Sequence, residues 1–323
     1  MQSRADGLEV DAMTTTQPLR IGTRGSPLAL AQAHETRDRL IAAHPHLAAP
    51  GAIEIVILKT TGDRIQDRTL AEAGGKGLFT KELEEALFDG RADLAVHSMK
   101  DVPTQLPDGL EIATLLPRED PRDAFFSRTG CALADLPPGA VVGTAGLRRQ
   151  AQVLELRPDL TIFPLRGNVQ TRLSKLDAGE VDATLLALAG LRRLGLTDRI
   201  TTILEPDTML PAVAQGAIGI EIRSADDATR ALIAPLNCAA TATRVTAERA
   251  LLAALDGSCR TPIAALATLD GEALSLRVKV LSNDGRRVFH AARSGTAGDA
   301  ATMGADAGAE IKAQLPADFF TTP

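Results

Sequence analysis

Short apolar runs alternate with helical stretches twice along this chain, and that alternation restricts its fold more than any other feature. Residues 19–23 read as a strand, and Ser26-Pro27 then starts a helix that runs to about residue 43. Serine caps a helix and proline tolerates its first turn, so the pair marks a beginning. A strand at 52–58 and a helix at 78–88 follow, with Leu83 and Leu87 four apart on one helix face. Further strands fall at 93–96 and 110–115. The pattern restarts near residue 140 with a strand at 140–143, a helix at 147–156, a strand at 161–164, a helix at 168–177, a strand at 182–188 and a short helix containing AGLRRLG. Two α/β units are implied, with ligand-binding residues in the loops at strand ends and a cleft between the units. Neither half shows an internal repeat in its sequence.

After Pro235 the pattern changes. A helix over 240–255 leads into strands at 263–269, 274–281 and 286–292, and an Ala-rich helix spans 298–314. Asp-Gly pairs at 270–271 and 284–285 suit the turns of an antiparallel meander. This is a small α+β domain. The length of 323 residues accommodates it beside the two α/β units.

Composition narrows the functional class. Hydrophobic residues make up 45% and charged residues 24%, which suits packed cores. Aromatics are only 2%, with no Trp or Tyr, so platforms for stacking bases are scarce, and the net charge of −6 gives no global attraction to nucleic acid or anionic lipid. No apolar run reaches the ~20 residues that a membrane-spanning helix needs. Three cysteines, Cys131, Cys238 and Cys259, form neither a paired framework nor a metal-ligand spacing, and a reducing, cytoplasmic compartment is expected. His34, His44 and His46 lack partners at metal spacing. The polar, Thr-rich residues 1–17 read as a disordered extension without a signal or transit pattern, and Met13 offers an alternative start.

Several motifs carry possible chemistry. In VHSMKDVP, a strand delivers His97, Ser98, Lys100 and Asp101 into a corner closed by Pro103. One reading is a capped strand end with a surface Lys-Asp pair. The other is a carboxylate held where it can exchange a proton with a substrate amine or stabilise positive charge. Arg148 and Arg149, then Arg166 and Arg172, stand at helix starts after predicted strands, where guanidinium forks and free N–H groups suit carboxylates or phosphates. Arg24 and Ser26 make a similar anion corner. The GlyGlyLysGly run at 74–77 can act as a lid through Lys76, but neither it nor Gly143–Gly146 has a nucleotide-binding glycine pattern. Cys259 lies in a glycine-polar loop beside Arg260, a setting that favours the nucleophilic thiolate. A lone cysteine is otherwise usually a small core residue.

Together these segments resemble a known family. RIGTRGSPLALAQA at 20–33, GGKGLFTKELEEAL at 74–87, RADLAVHSMKDVP at 91–103, EDPRDAF at 119–125 and LRRQ at 147–150 are similar to the porphobilinogen deaminases, or hydroxymethylbilane synthases. So are LRGNVQTRLSKLDAGE at 165–180, PAVAQGAIGIE at 211–221 and GSCRTPIAA at 257–265. The resemblance implies two periplasmic-binding-protein-like α/β domains, 18–116 with 217–236 and 117–216, plus a small C-terminal α+β domain, 237–323. It also implies a chain that crosses back, which the linear reading of strands and helices does not contain.

The resemblance further implies stepwise head-to-tail condensation of four porphobilinogen molecules, with loss of ammonia, on a dipyrromethane cofactor. That cofactor would be held by a thioether to Cys259. Asp101 takes the catalytic position, stabilising the azafulvene and the pyrrolic N–H groups. Arg24, Ser26, Lys100, Thr144, Arg148, Arg149, Arg166, Arg172 and Arg193 take the positions that bind carboxylates, and Lys76 and Phe79 belong to a covering loop. A monomer that passes its product to uroporphyrinogen-III synthase, with no metal, nucleic acid or membrane partner, is also implied. Two departures from the family pattern stand out: Ala145-Gly146 where relatives carry serines, and Ala214 where glycine is common. The competing reading is a two-lobed small-anion binder, which would need neither Cys259 nor Asp101.

Overall fold

The computed structural model describes residues 17–64, 77–257, 261–316 and 319. The first stretch contains β1 (Leu19–Arg24), α1 (Pro27–Ala43), β2 (Ile53–Leu58), the short α2 (Thr61–Arg64), α3 (Lys81–Phe88), β3 (Leu94–Ser98) and β4 (Leu110–Leu115). The second contains β5 (Asp123–Ser127), β6 (Val141–Gly143), α4 (Leu147–Leu156), β7 (Thr161–Phe163), α5 (Val169–Asp177), β8 (Ala183–Ala187), α6 (Leu188–Arg193) and β9 (Thr202–Leu204). β10 (Ile218–Arg223) and α7 (Asp227–Ile233) follow. The last stretch contains α8 (Ala239–Ala254), β11 (Ile263–Asp270), β12 (Ala273–Leu281), β13 (Val288–Thr296) and α9 (Ala300–Gln314).

Local signals place most of these elements. Ser26 caps α1, its Oγ accepting from the Ala29 N–H at 3.3 Å, with Pro27 in the first turn. The helix expected from residue 78 begins only at Lys81, because Gly77 has φ +79° and its carbonyl accepts from the N–H groups of Thr80 and Lys81 in a separate turn. The strand expected at 286–292 is β13 and starts later, after Gly285 turns the chain with φ +73°. β5, β9, β10 and α7 have no counterpart among the expected elements. β5 and β10 pair with strands far away in sequence, and no local pattern announces such partners.

The first sheet has the order β2-β1-β3-β10-β4 and the second β7-β6-β8-β5-β9. Both have three parallel strands followed by one antiparallel strand in the fourth place. In the first sheet that strand is β10, which returns after the whole second unit; in the second it is β5, which enters before the rest. The chain therefore crosses between sheets twice.

The shared order uncovers a repeat that the sequence conceals. GRADLAVHS at 90–98 matches GEVDATLLA at 179–187 position by position. Gly90 and Gly179 have φ +75° and +78°. Asp93 accepts from the Arg20 N–H and Asp182 from the Val141 N–H, each at 2.8 Å. By the same register, Arg223 lies 3.8 Å from Asp93 and Arg128 lies 4.0 Å from Asp182. The glycine conformation and the aspartate contacts repeat here while most of the other side chains differ.

The third unit is the antiparallel sheet β11-β12-β13 against α8 and α9. Glycines bring the two helices close: a Cβ on Gly304 would stand 2.1 Å from the Ala247 carbonyl. The core of this unit continues under the first sheet, because Met99 and Val102 are buried in the same cluster as Leu251, Leu276 and Val278. Each such side chain stabilises by about 2 kcal/mol when removed from water.

Candidate active site

Asp101 ends a single 3-10 turn, Met99–Asp101, directly after β3. Met99 and Val102 anchor this turn from below, and Gly219 on β10 leaves room for Met99, whose sulfur would sit 2.1 Å from a Cβ there. Ser98 is tied to Gln32 of α1 by hydrogen bonds of 2.8 and 3.1 Å. The turn is thus fixed to three elements, while the Asp101 side chain keeps 30% of its surface exposed. Arg24, at the end of β1, reaches to 3.9 Å from Asp101 and lies over the Phe79 ring at 4.2 Å. Ser26 is committed to capping α1, although its own O–H can still donate.

The other wall comes from the second sheet. Thr144 follows β6 and is buried, its Oγ1 accepting from the Gly146 N–H at 3.3 Å. Gly146 stands at the N-cap of α4, where it supplies no side-chain cap. Arg148 and Arg149 are buried in the first turn of α4. Both grip Asp123, the first residue of β5. Arg148 Nη2 donates at 2.6 Å and Arg149 Nη2 at 2.7 Å, while Gln215 Nε2 adds a third donor at 3.0 Å. Burial works against the charge on Asp123, but the two guanidiniums overcome it and hold its carboxyl well below the usual carboxylate range.

Asp123 was not singled out from the sequence. A signal exists, since an aspartate heading the apolar run DAFFS needs a buried counter-charge, and two adjacent arginines need the same.

Lys100, partly buried, feels both walls. Burial pushes its ammonium down to about 8, Asp101 pulls it back up, and Arg149 and Arg148 add repulsion. Arg172, on α5, donates to the Gly167 carbonyl at 2.9 Å. Burial, with repulsion from Arg149 and Arg166, brings it down to about 10 against the attraction of Asp101. Lys100, Arg148, Arg149, Arg166 and Arg172 therefore act on one another across the two sheets, with Asp101 and Asp123 as carboxylates that attract them and Arg24 joined to the group through Asp101.

Arg193 is held differently. It donates to Glu35 of α1 at 3.1 Å and to the Gly216 carbonyl at 3.1 Å, bracing α6 against the first unit. Cys259 and Lys76 lie outside the described residues. Among the described residues no group of three or more His, Cys, Asp or Glu could hold a metal ion, and no helix is long and apolar enough to cross a membrane.

Where the chain crosses between sheets, Arg118 donates to Glu248 of α8 at 2.7 and 3.1 Å and to the Gln215 carbonyl at 2.9 Å. Glu248 is fully buried and also accepts from the N–H groups of Ala214 at 2.6 Å and Ala267 at 2.8 Å. Both crossings and the third unit meet at this one ion pair. Ala214 adopts φ +57°, a left-handed conformation that explains the preference for glycine there.

Fold and site bring cationic side chains of two α/β sheets together near Asp101, whose side chain is 30% exposed. The family model described as "Porphobilinogen deaminase, dipyromethane cofactor binding domain" matches residues 19–231, and the one for the porphobilinogen deaminase C-terminal domain matches 242–313. A porphobilinogen deaminase of Paracoccus denitrificans is 58% identical over 94% of this chain and 96% of its own length. The chloroplastic enzyme of Oryza sativa subsp. japonica is 55% identical over 98% of this chain and 89% of its own length. Among solved structures, the periplasmic aliphatic sulphonate binding protein SsuA of Escherichia coli is 16% identical, with a TM-score of 0.40 over 74% of this chain and 70% of that one. That likeness is too slight to carry an argument. The chain belongs to the porphobilinogen deaminase family.

Proposed function

We propose that Asp101 is the catalytic carboxylate and that the arginine wall holds the carboxylates of the cofactor and growing chain. The reaction is that of the family: porphobilinogen units are condensed by way of a dipyrromethane cofactor to hydroxymethylbilane, a step of tetrapyrrole biosynthesis. In each coupling the aminomethyl C–N bond breaks and ammonia leaves with its electron pair. A C–C bond forms to the free α-carbon of the terminal pyrrole, whose proton is then lost. After four couplings, the C–C bond joining the first methylene carbon to the cofactor's terminal pyrrole would break, a proton going to that pyrrole carbon and the hydroxyl of a water molecule to the methylene, so that the linear product departs.

Asp101 is suited to the cationic stages, since its carboxylate stabilises the charge left when ammonia leaves and the charge that coupling places on ring nitrogen. Arg24, 3.9 Å from that carboxylate, and Lys100 orient substrate carboxylates beside it. Opposite, Arg148, Arg149, Arg166 and Arg172 hold acetate and propionate groups, helped by Thr144, while Ser26 helps on the Asp101 side. The observation that carries this reading is that Lys100, Arg148, Arg149 and Arg172 act on one another across the two sheets, burial first and neighbouring cations second drawing Lys100 and Arg172 down in pKa. Such a gathering fits a polycarboxylate, and anion binding would relieve the repulsion. When bound, dipyrromethane supplies the pyrrole carbon from which the chain grows, and Cys259 would hold it through a thioether. Arg193 then serves at the domain joint, and Lys76 and Phe79 in the cover.

The domains follow as 18–116 with 217–236, 117–216 and 237–323, after an extension at 1–17. The matching strand order of the two sheets supports a plan like that of periplasmic binding proteins. A cytoplasmic monomer that hands its product to uroporphyrinogen-III synthase completes the proposal.

The test is Asp101→Asn in cofactor-loaded protein whose adduct mass, mapped to the Cys259 peptide, is checked separately. Folded, loaded Asp101→Asn should lose most turnover, and Asp101→Glu should retain a little. Near-normal turnover by Asp101→Asn would remove Asp101 from the chemistry, and active protein with unmodified Cys259 would remove the tether.

A further inference from the structure

The Asp101 turn is gripped from the third unit by an arginine. Arg249, on α8, donates from Nη1 to the Val102 carbonyl at 3.0 Å and from Nη2 to the Pro103 carbonyl at 2.6 Å. Among the described residues its hydrogen bonds go to these two carbonyls and to no carboxylate. Burial lowers its pKa. Arg249 is partly buried, and drawing a guanidinium part-way out of water without a carboxylate partner costs stability, so the placement calls for an explanation beyond packing.

The backbone after Asp101 supplies one. Pro103 has no N–H with which to anchor the segment, and the turn itself is a single 3-10 turn. Met99 is fixed by packing and by its N–H, which donates to the Ala217 carbonyl at 3.0 Å, and the Val102 N–H bonds back to the Met99 carbonyl within the turn. Beyond Asp101 it is the Arg249 fork, bonded to two successive carbonyls, that ties the backbone to another element. The same helix places Glu248 on the domain crossings and ends at Ala254, shortly before Cys259.

We propose that Arg249 is a positioning residue: it clamps the Val102-Pro103 backbone to α8, and so fixes where the Asp101 carboxylate stands relative to the third unit. This rests on the reading of Asp101 as the catalytic group.

The test compares Arg249→Met, which keeps bulk but no donor, and Arg249→Lys, which keeps one charged donor, as cofactor-loaded enzymes of verified adduct mass. With Arg249→Met, kcat should fall about 10- to 100-fold while KM for porphobilinogen stays within about twofold, the signature of misplaced catalytic geometry. Arg249→Lys should recover part of kcat. In an Asp101→Glu background, where the carboxylate is already displaced, adding Arg249→Met should cost less than about threefold more. A loaded Arg249→Met enzyme with unchanged kcat overturns the proposal, as does a double variant whose losses simply multiply. If Arg249→Met fails to fold, unchanged kcat in Arg249→Lys overturns it equally. Asp101→Asn in the same assay separates the two readings: turnover there sinks both, whereas an inactive Asp101→Asn beside a normal Arg249→Met sinks only this one.

Discussion

Replacing Asp123 by asparagine tests how the arginine wall is held together. The carboxylate is fully buried and takes bonds of 2.6 Å from Arg148, 2.7 Å from Arg149 and 3.0 Å from Gln215. Asparagine keeps the shape but removes the charge and turns one acceptor into a donor facing a guanidinium. Two buried arginines then share no counter-charge, and breaking such an arrangement costs about 3–5 kcal/mol. For a chain of this size that is a fall in Tm of roughly 6–10 °C, at about 2 °C per kcal/mol. The sign with pH follows from the depressed carboxyl. Its contribution is fully present above the unfolded value of about 3.9 and is lost only as pH falls through the lower folded value. The variant should therefore be weaker throughout the neutral range and converge with the parent only in strong acid. Cofactor-free protein should lose more than cofactor-loaded protein, because bound carboxylates replace the missing charge. Thermal and urea unfolding of both forms at pH 7 is the assay, with adduct mass checked. A loss below about 1 kcal/mol in the cofactor-free form would refute the claim that Asp123 supports the wall.

Lys100 predicts a pH effect on binding: its ammonium is drawn down to about 8, so porphobilinogen affinity should weaken by up to about tenfold per pH unit above 8, through loss of one proton that the bound anion favours. Lys100→Met should flatten that dependence, and an unchanged profile would show that Lys100 does not face the anion. The linked stability runs the other way, because a depressed cation penalises the native state at lower pH and this penalty fades between about 8 and 10.4. Ala214→Gly should leave turnover intact and stabilise by up to about 1 kcal/mol, since relief of the left-handed backbone exceeds the flexibility that glycine adds to the unfolded chain. Denaturation showing a loss of more than about 1 kcal/mol would contradict this.

Much of the molecule is legible in its sequence. Ser26-Pro27 announced α1, the Asp-Gly pairs announced the meander turns, and the run around Asp101 announced a polar corner. Such signals work because capping, turn conformation and side-chain periodicity act within a few residues. The motif resemblance likewise depended on segments that are each continuous in sequence.

Other features were decided only in three dimensions. GRADLAVHS and GEVDATLLA share a glycine conformation and an aspartate contact, but too few identities to be seen as a repeat. Asp123 sits inside a quoted motif, yet its role depends on two arginines from another element. Arg193 looks like one more anion-binding arginine until folding brings Glu35 and the Gly216 carbonyl to it. The sequence by itself determined where helices start, where turns fall and which residue types crowd each strand end. Tertiary structure alone decided that β10 returns to the first sheet, that β5 completes the second, and which charges neutralise one another. The physical reason is range: local preferences are set by neighbours along the chain, whereas strand partners and counter-charges are set by whatever the fold brings within hydrogen-bonding distance.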